Sequence, residues 1–148
     1  MREAGRPARP QGAAGCARAP RAYAAGVSIA VDTQALSDRL AEFGAHAFLT
    51  TVSDDQRPHV VSVTVALEGD RLVTSVGRHT GANLAGRPAA TFLWPPADGD
   101  PDYSLIVDGT AIDASGEGAL AVEPTRAVLH RVAGAAGDGP TCVAVESH

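Results

Sequence analysis

The sequence predicts a mainly β protein: an antiparallel barrel, closed or partly closed, of about six short strands with an N-terminal helix and one or two small helices. Three observations predict it. Apolar residues alternate with a period of two in successive runs from residue 46 onward, which is the pattern of half-buried strands. Turn-forming clusters such as "DDQR", "EGD" and "ADGDPD" separate the runs at short intervals. Those intervals mostly leave no room for the helical crossover that a parallel strand requires.

A chain of 148 residues suits one hydrophobic core rather than two. Apolar residues make up 45% of it and charged residues 20%, the balance of a globular protein, and no apolar run reaches the length of a bilayer span. The basic side chains are all Arg. Five of them fall in residues 1–26 against Glu3 alone, giving that segment a charge of about +4 and the remainder about −9. An acidic body lacks the basic surface that phosphate neutralisation needs, which argues against nucleic acid as a partner. Cys16 and Cys142 offer neither metal-ligand spacing nor a disulfide framework. Their placement points to a reducing, cytoplasmic setting.

The elements follow in order. Residues 1–26, rich in Ala, Arg, Pro and Gly without hydrophobic period, are expected to be a disordered tail or an over-extended reading frame, with the domain running from 27 to 148. "DTQALSDRLAEFG" is one amphipathic helix: Asp32 or Thr33 caps it, Leu36, Leu40 and Phe43 share a face, and Gly44 stops it. "HAFLTTVS" (46–53) and "PHVVSVTVALEG" form a hairpin, with Val61, Val63, Val65 and Leu67 on one face and Ser62, Thr64 and Ala66 on the other. "EGD" then turns the chain into "RLVTSVG", completing a three-stranded meander. "HTGANLAGR" is a helix of one or two turns capped by Thr80 and ending before Pro88. "AATFLWPP" and "YSLIVDGTAIDASG" return to strand, and "ALAV" adds a pairing. "EPTRAVLHRVA" opens with Pro124 where a first helical turn would start, and "TCVAV" is a short edge strand.

Chemistry concentrates in "VGRHTGANLAGRP". A helix start after a strand offers free backbone N–H groups and partial positive charge, both suited to an anion, and Arg78 and Thr80 add donors beside Gly77 and Gly81. A capped turn with a solvated Arg has the same spacing. Trp94 either covers a planar ligand or fills a core edge. The five histidines show no zinc pattern, so no metal is expected, and there is no G-x-S-x-G elbow or P-loop.

Taken in order, "FLTTVSDDQRPHVVSVTVAL", "GDRLVTSVGRHTGANLAGRPAATFLW" and "YSLIVDGTAI" resemble the pyridoxamine 5'-phosphate oxidase-like family of flavin-binding split barrels, over residues 33 to 132. The resemblance implies an antiparallel split β-barrel that forms a homodimer with FMN between subunits. It implies that backbone groups of Val60, Val61 and Ser62 meet the ring edge with His59 nearby. It further implies that Thr74, Ser75, Arg78, His79, Thr80 and Asn83 surround the phosphate, with Trp94 beside the cofactor. The implied function is an FMN-dependent oxidoreductase acting on a small molecule, with a deazaflavin-binding reductase or a non-enzymatic flavin- or haem-binding dimer as alternatives. Family members place several Lys or Arg around the phosphate, whereas Arg78 is the one permanent charge in this turn. The C-terminal segment does not match the Arg/His pattern of true pyridoxamine phosphate oxidases, so pyridoxamine phosphate is not expected as substrate.

Overall fold

Helix α1 (Thr33–Phe43) begins where Asp32 turns its side chain back to accept the N–H of Ala35 at 2.7 Å, and it ends at Gly44, whose φ of 82° suits glycine. Of the two capping candidates the structure selects Asp32. A computed structural model of the chain describes residues 32–99, 101–114, 116–135 and 139–145. The expected tail at 1–26 lies outside them.

Strand β1 (His46–Val52) pairs antiparallel with β2 (Pro58–Thr64), from His46 opposite Thr64 to Val52 opposite Pro58. The alternation predicts that β2 runs on unbroken to residue 68. The structure breaks it at Val65, whose N–H bonds the carbonyl of Ala45 at 2.8 Å while its side chain stays buried. The chain resumes as β3 (Ala66–Glu68), which pairs with β4 (Arg71–Val76). One apolar stripe thus serves two partners, which the period of two does not reveal because the buried face is the same on both sides of the break.

Helix α2 (Arg78–Gly86) follows, then β5 (Ala89–Trp94), β6 (Tyr103–Asp113), β7 (Gly118–Arg131) and β8 (Cys142–Ala144). The strand order is β2-β1-β5-β6-β7-β4-β3, with β8 added to β7. Since β2 and β3 are the two ends of this path and are joined through Val65, the antiparallel sheet must curl back on itself. Counting β2 and β3 as one kinked strand and setting aside the β8 edge, six strands build the curl, as the sequence predicts.

The helix expected after Pro124 is corrected: Gly118–Arg131 is a single long strand against β6. Pro124 sits opposite Gly109 at a register shift, where a bulge accommodates a residue with no N–H to give. Gly109 is required there, because a Cβ would lie 2.5 Å from Val122 and 2.7 Å from the carbonyl of Glu123. Pairing along the full length of β6 outweighs the local preference of Pro for a helix start. The cysteine reading is also corrected. Cys142 is disulfide-bonded, with the other half of the bond outside the described residues, so distance along the chain was a poor guide to pairing. The compartment inferred from it loses that support.

The barrel interior is filled from alternate positions of the strands. Leu49, Phe92, Leu105, Val107 and Val122 are fully buried, and Trp94 lies tilted against Phe92 with ring centroids 6.0 Å apart. The Trp94 indole N–H donates to the Gly44 carbonyl at 3.0 Å, tying the end of α1 to β5. Trp94→Phe removes that bond and leaves a small void. The expected cost is about 2 kcal/mol, read as a lower urea midpoint with an unchanged slope.

Candidate functional site

Strand β2 ends the sheet path, so one of its edges pairs with β1 and the other carries backbone N–H and C=O groups with no ladder partner. An open groove of about 650 Å³ lies along this strand. Ser62, Val63 and Thr64 of β2 line it on one side, Val73, Thr74 and Ser75 of β4 on the other, with Ala119, Leu120 and Ala121 of β7 behind. The hollow persists because Ala119 and Ala121, the cross-strand partners of Ser75 and Val73, are too small to fill it. Glu68 and Asp113 complete the lining. A second hollow of about 360 Å³ shares Ser62, Val63 and Thr64 and is otherwise lined by His46, Ala47, Phe48 and Pro95.

Thr74 is 9% exposed and its hydroxyl donates to the Thr64 carbonyl at 2.8 Å, so it rivets β4 to β2 across the groove. Ser62 and Ser75 are exposed and open to a ligand.

Helix α2 leaves the end of β4 after Gly77, an extended N-cap with no side-chain cap bond. Thr80 was expected as the cap. It lies instead within the first turn, buried, where its hydroxyl shares a hydrogen bond with Nε2 of His59 at 3.2 Å. Asn83 donates to the Thr51 hydroxyl at 3.0 Å. Thr51 and His59 are register partners on β1 and β2, so two polar contacts seat α2 on that hairpin. Arg87 adds an ion pair to Asp54 in the hairpin turn at 2.7 Å. The first intrahelical bond runs from Gly81 N–H to Gly77, leaving the N–H groups of Arg78, His79 and Thr80 ahead of it. Arg78 and His79 are exposed, and the Arg78 guanidinium has no ion pair among the described residues.

The structure therefore divides the residues that the sequence singles out. Ser62, Thr74 and Ser75 meet at the groove. His59, Thr80 and Asn83 dock α2, and Arg78 and His79 stand at its open start. Val60 is 55% exposed on the outer face, while Val61 points inward and is half-buried. Trp94 is 0% exposed and belongs to the core, so it has no surface to offer a cofactor. Sequence reasoning missed Glu68 and Asp113. Glu68 was read as part of a turn and Asp113 as the tail of a strand, and only the curl of the sheet puts them beside β2.

No family model matches the chain. The Mycobacterium bovis protein Mb0449c is 42% identical over 126 residues, spanning 75% of this chain and 86% of that protein, and the Mycobacterium tuberculosis protein MT0457 matches equally. Among solved structures, an F420 reductase superposes with a TM-score of 0.53 at 19% identity, covering 61% of this chain and 94% of its own. An FMN-binding protein from Syntrophomonas wolfei gives 0.54 at 11% identity, covering 68% and 86%. A Clostridium acetobutylicum protein related to general stress protein 26, of the pyridoxinephosphate oxidase family, gives 0.51 at 14%, covering 68% and 91%. At these identities the structural likeness shows the fold.

Gly81 fixes how α2 approaches the rest of the barrel: a Cβ there would lie 1.9 Å from the Gly116 carbonyl oxygen, which is backbone and cannot swing aside. Gly81→Ala is expected to destabilise the protein by about 1–3 kcal/mol through overpacking. Gly86→Ala, with Asp54 at 3.8 Å as its nearest neighbour, is expected to cost nothing or to stabilise by up to about 1 kcal/mol. Thermal or urea melts of the two variants compare the effects directly.

Proposed function

We propose that this chain, which belongs to the family of Mb0449c and has the split-barrel fold of pyridoxamine 5'-phosphate oxidase-like, FMN-binding proteins, binds a flavin-type cofactor, FMN, and works as a flavin-dependent oxidoreductase. The observation that carries the reading is the free edge of β2 facing a 650 Å³ groove. A flat heteroaromatic ring needs in-plane donors and acceptors at its edge and walls at its faces, and an unpaired strand edge supplies the first.

The residues present suit such a group. Unladdered backbone near Val60, Val61 and Ser62, with the Ser62 and Ser75 hydroxyls, would hold the ring system and its hydroxylated chain. Ser75 at the groove is separated from Arg78 only by Val76 and Gly77. The Arg78 guanidinium, His79, and the free N–H groups of the first turn of α2 would hold the anionic tail. His59, Thr80 and Asn83 set the position of that turn. When bound, the flavin supplies the electron-transfer chemistry, and the chain supplies orientation and a shielded wall.

The outer face of β1 and β2 exposes Phe48 at 41%, Val52 at 37% and Val60 at 55%. The cross-strand row from Phe48 continues through the half-buried Leu93 and Ile106. A second copy covering this row would remove it from water and roof the groove, which supports a homodimer. Phe48→Asp is expected to shift the protein to monomer in sedimentation velocity while leaving its circular dichroism unchanged.

Titration of the purified protein with FMN is expected to give saturable binding and absorbance near 450 nm that survives gel filtration. Arg78→Ala is expected to weaken the affinity about tenfold or more through loss of a charge-assisted contact. No binding of FMN by the unmodified chain overturns the cofactor assignment, and retention of a deazaflavin in its place redirects it.

A further inference from the structure

We propose that His59 is a positioning residue for the cofactor: by holding Thr80 it fixes the start of α2 relative to the edge of β2, and so selects a flavin with a terminal phosphate over the same ring and hydroxylated chain without one. This specificity rests on the flavin-binding reading given above. His59 is the second residue of β2 and half-buried. Its Nε2 shares a hydrogen bond of 3.2 Å with the hydroxyl of Thr80, a residue only 2% exposed.

Two routes join the strand edge to the helix start. The covalent one runs from Ser75 of β4 through Val76 and Gly77 to Arg78. It leaves the direction of α2 open, because nothing lies within 4 Å of where a Cβ on Gly77 would stand, and a glycine backbone is the least constrained of any. The second route is the bond from β2. Of the three side-chain contacts that seat α2, Asn83 with Thr51 acts in the second turn and Arg87 with Asp54 at the C-cap, so His59 alone among them holds the first turn. The backbone of Gly116 also abuts this turn at Gly81 and limits how near it comes, whereas a hydrogen bond is directional and fixes where the turn stands.

The residue held in this way carries one of the donors an anion would use. Gly81 donates the first intrahelical bond, to Gly77, so the N–H of Thr80 stands with those of Arg78 and His79 ahead of it, beside the Arg78 guanidinium. Donors of this kind recognise a phosphate only if they are held to within about 0.5 Å of the productive geometry. The ring and its hydroxylated chain are instead met by β2 and β4, whose ladders with β1 and β7 do not involve α2. Loss of the His59–Thr80 bond therefore displaces the phosphate donors and leaves the ring site in place, which separates a specificity role from a general prop.

The test compares the affinities of the full chain and its variants for FMN and for riboflavin, which share the ring and chain and differ in the phosphate. His59→Ala is expected to weaken FMN about fivefold and riboflavin less than about twofold. Thr80→Val, which keeps the branched shape and removes the hydroxyl, is expected to do the same and carries the comparison if His59→Ala fails to fold. The double variant is expected to be no weaker than the worse single one, since both remove one bond. His59→Gln, whose amide reaches toward the same hydroxyl, is expected to recover FMN affinity. In the flavin-free His59→Ala and Thr80→Val proteins, amide hydrogen exchange is expected to quicken at residues 78–86 and to hold steady at 46–64. Equal weakening of both flavins, additive effects in the double variant, or unchanged FMN affinity overturns the proposal. If the unmodified chain binds FMN and the variants keep its affinity, the positioning role fails alone. If the unmodified chain binds neither flavin, the cofactor assignment fails and the specificity falls with it, whatever the exchange rates show of the bond itself.

Discussion

The break at Val65 is the constraint on which the rest of the architecture depends. A strand that continued straight from Pro58 to Glu68 would keep one partner along its length, and the sheet would stay open. Because Val65 turns its N–H to Ala45 and keeps its side chain in the core, the chain changes partner from β1 to β4 without changing its buried face. Curling of the sheet follows, and so does an unladdered edge on β2 in the middle of a closed-up structure. Strand edges of this kind are usually covered or blunted. Here the edge faces a groove, which leaves its backbone groups open to a partner other than a neighbouring strand.

The second determinant is the seating of α2. It is a nine-residue helix with no side-chain cap, too short to be stable by itself. Three tertiary contacts hold it: His59 with Thr80, Thr51 with Asn83, and Asp54 with Arg87. The first two are polar bonds within partly buried surroundings, where an unmatched partner is costly, so they specify position as well as add stability. Gly81 then allows the backbone at Gly116 to approach the first turn. A weak helix is thereby given a fixed N-terminus at the end of β4. His59, Thr80 and Asn83, singled out in the sequence, support that N-terminus.

Charge is distributed unevenly between these two regions. The start of α2 carries Arg78 and unbonded N–H groups, whereas the groove beside it carries Glu68 and Asp113. A molecule with an anionic tail and a neutral ring is matched by the pair of regions taken together, with the tail outside the acidic lining. A simple phosphate lodged in the groove itself is not matched. This separation also accounts for how a turn with one permanent cation suffices in the proposed role: the helix terminus contributes partial charge at the same place.

The sequence by itself determined the class of the fold and most of its elements. Alternation marked the runs at 46–53, 58–69, 71–77, 89–96 and 103–116 as strand, and Asp32 or Thr33 with Gly44 bounded α1, because burial and capping are local demands written in residue type. It failed where a demand was not local. At Val65 the same face is buried before and after the change of partner. At Pro124 a bulge against Gly109 outweighs a helix-start preference, and the bonding of Cys142 does not follow from spacing. That Thr80 and His59 hydrogen-bond each other across 21 residues had no signal in the sequence. Glu68 and Asp113 carried no signal at all, since they become groove walls only when residues 68 and 113 meet beside residue 62. Tertiary structure alone decided these points, because each depends on which distant backbone lies alongside, and a period of two records the face a residue occupies but not the neighbour it meets there.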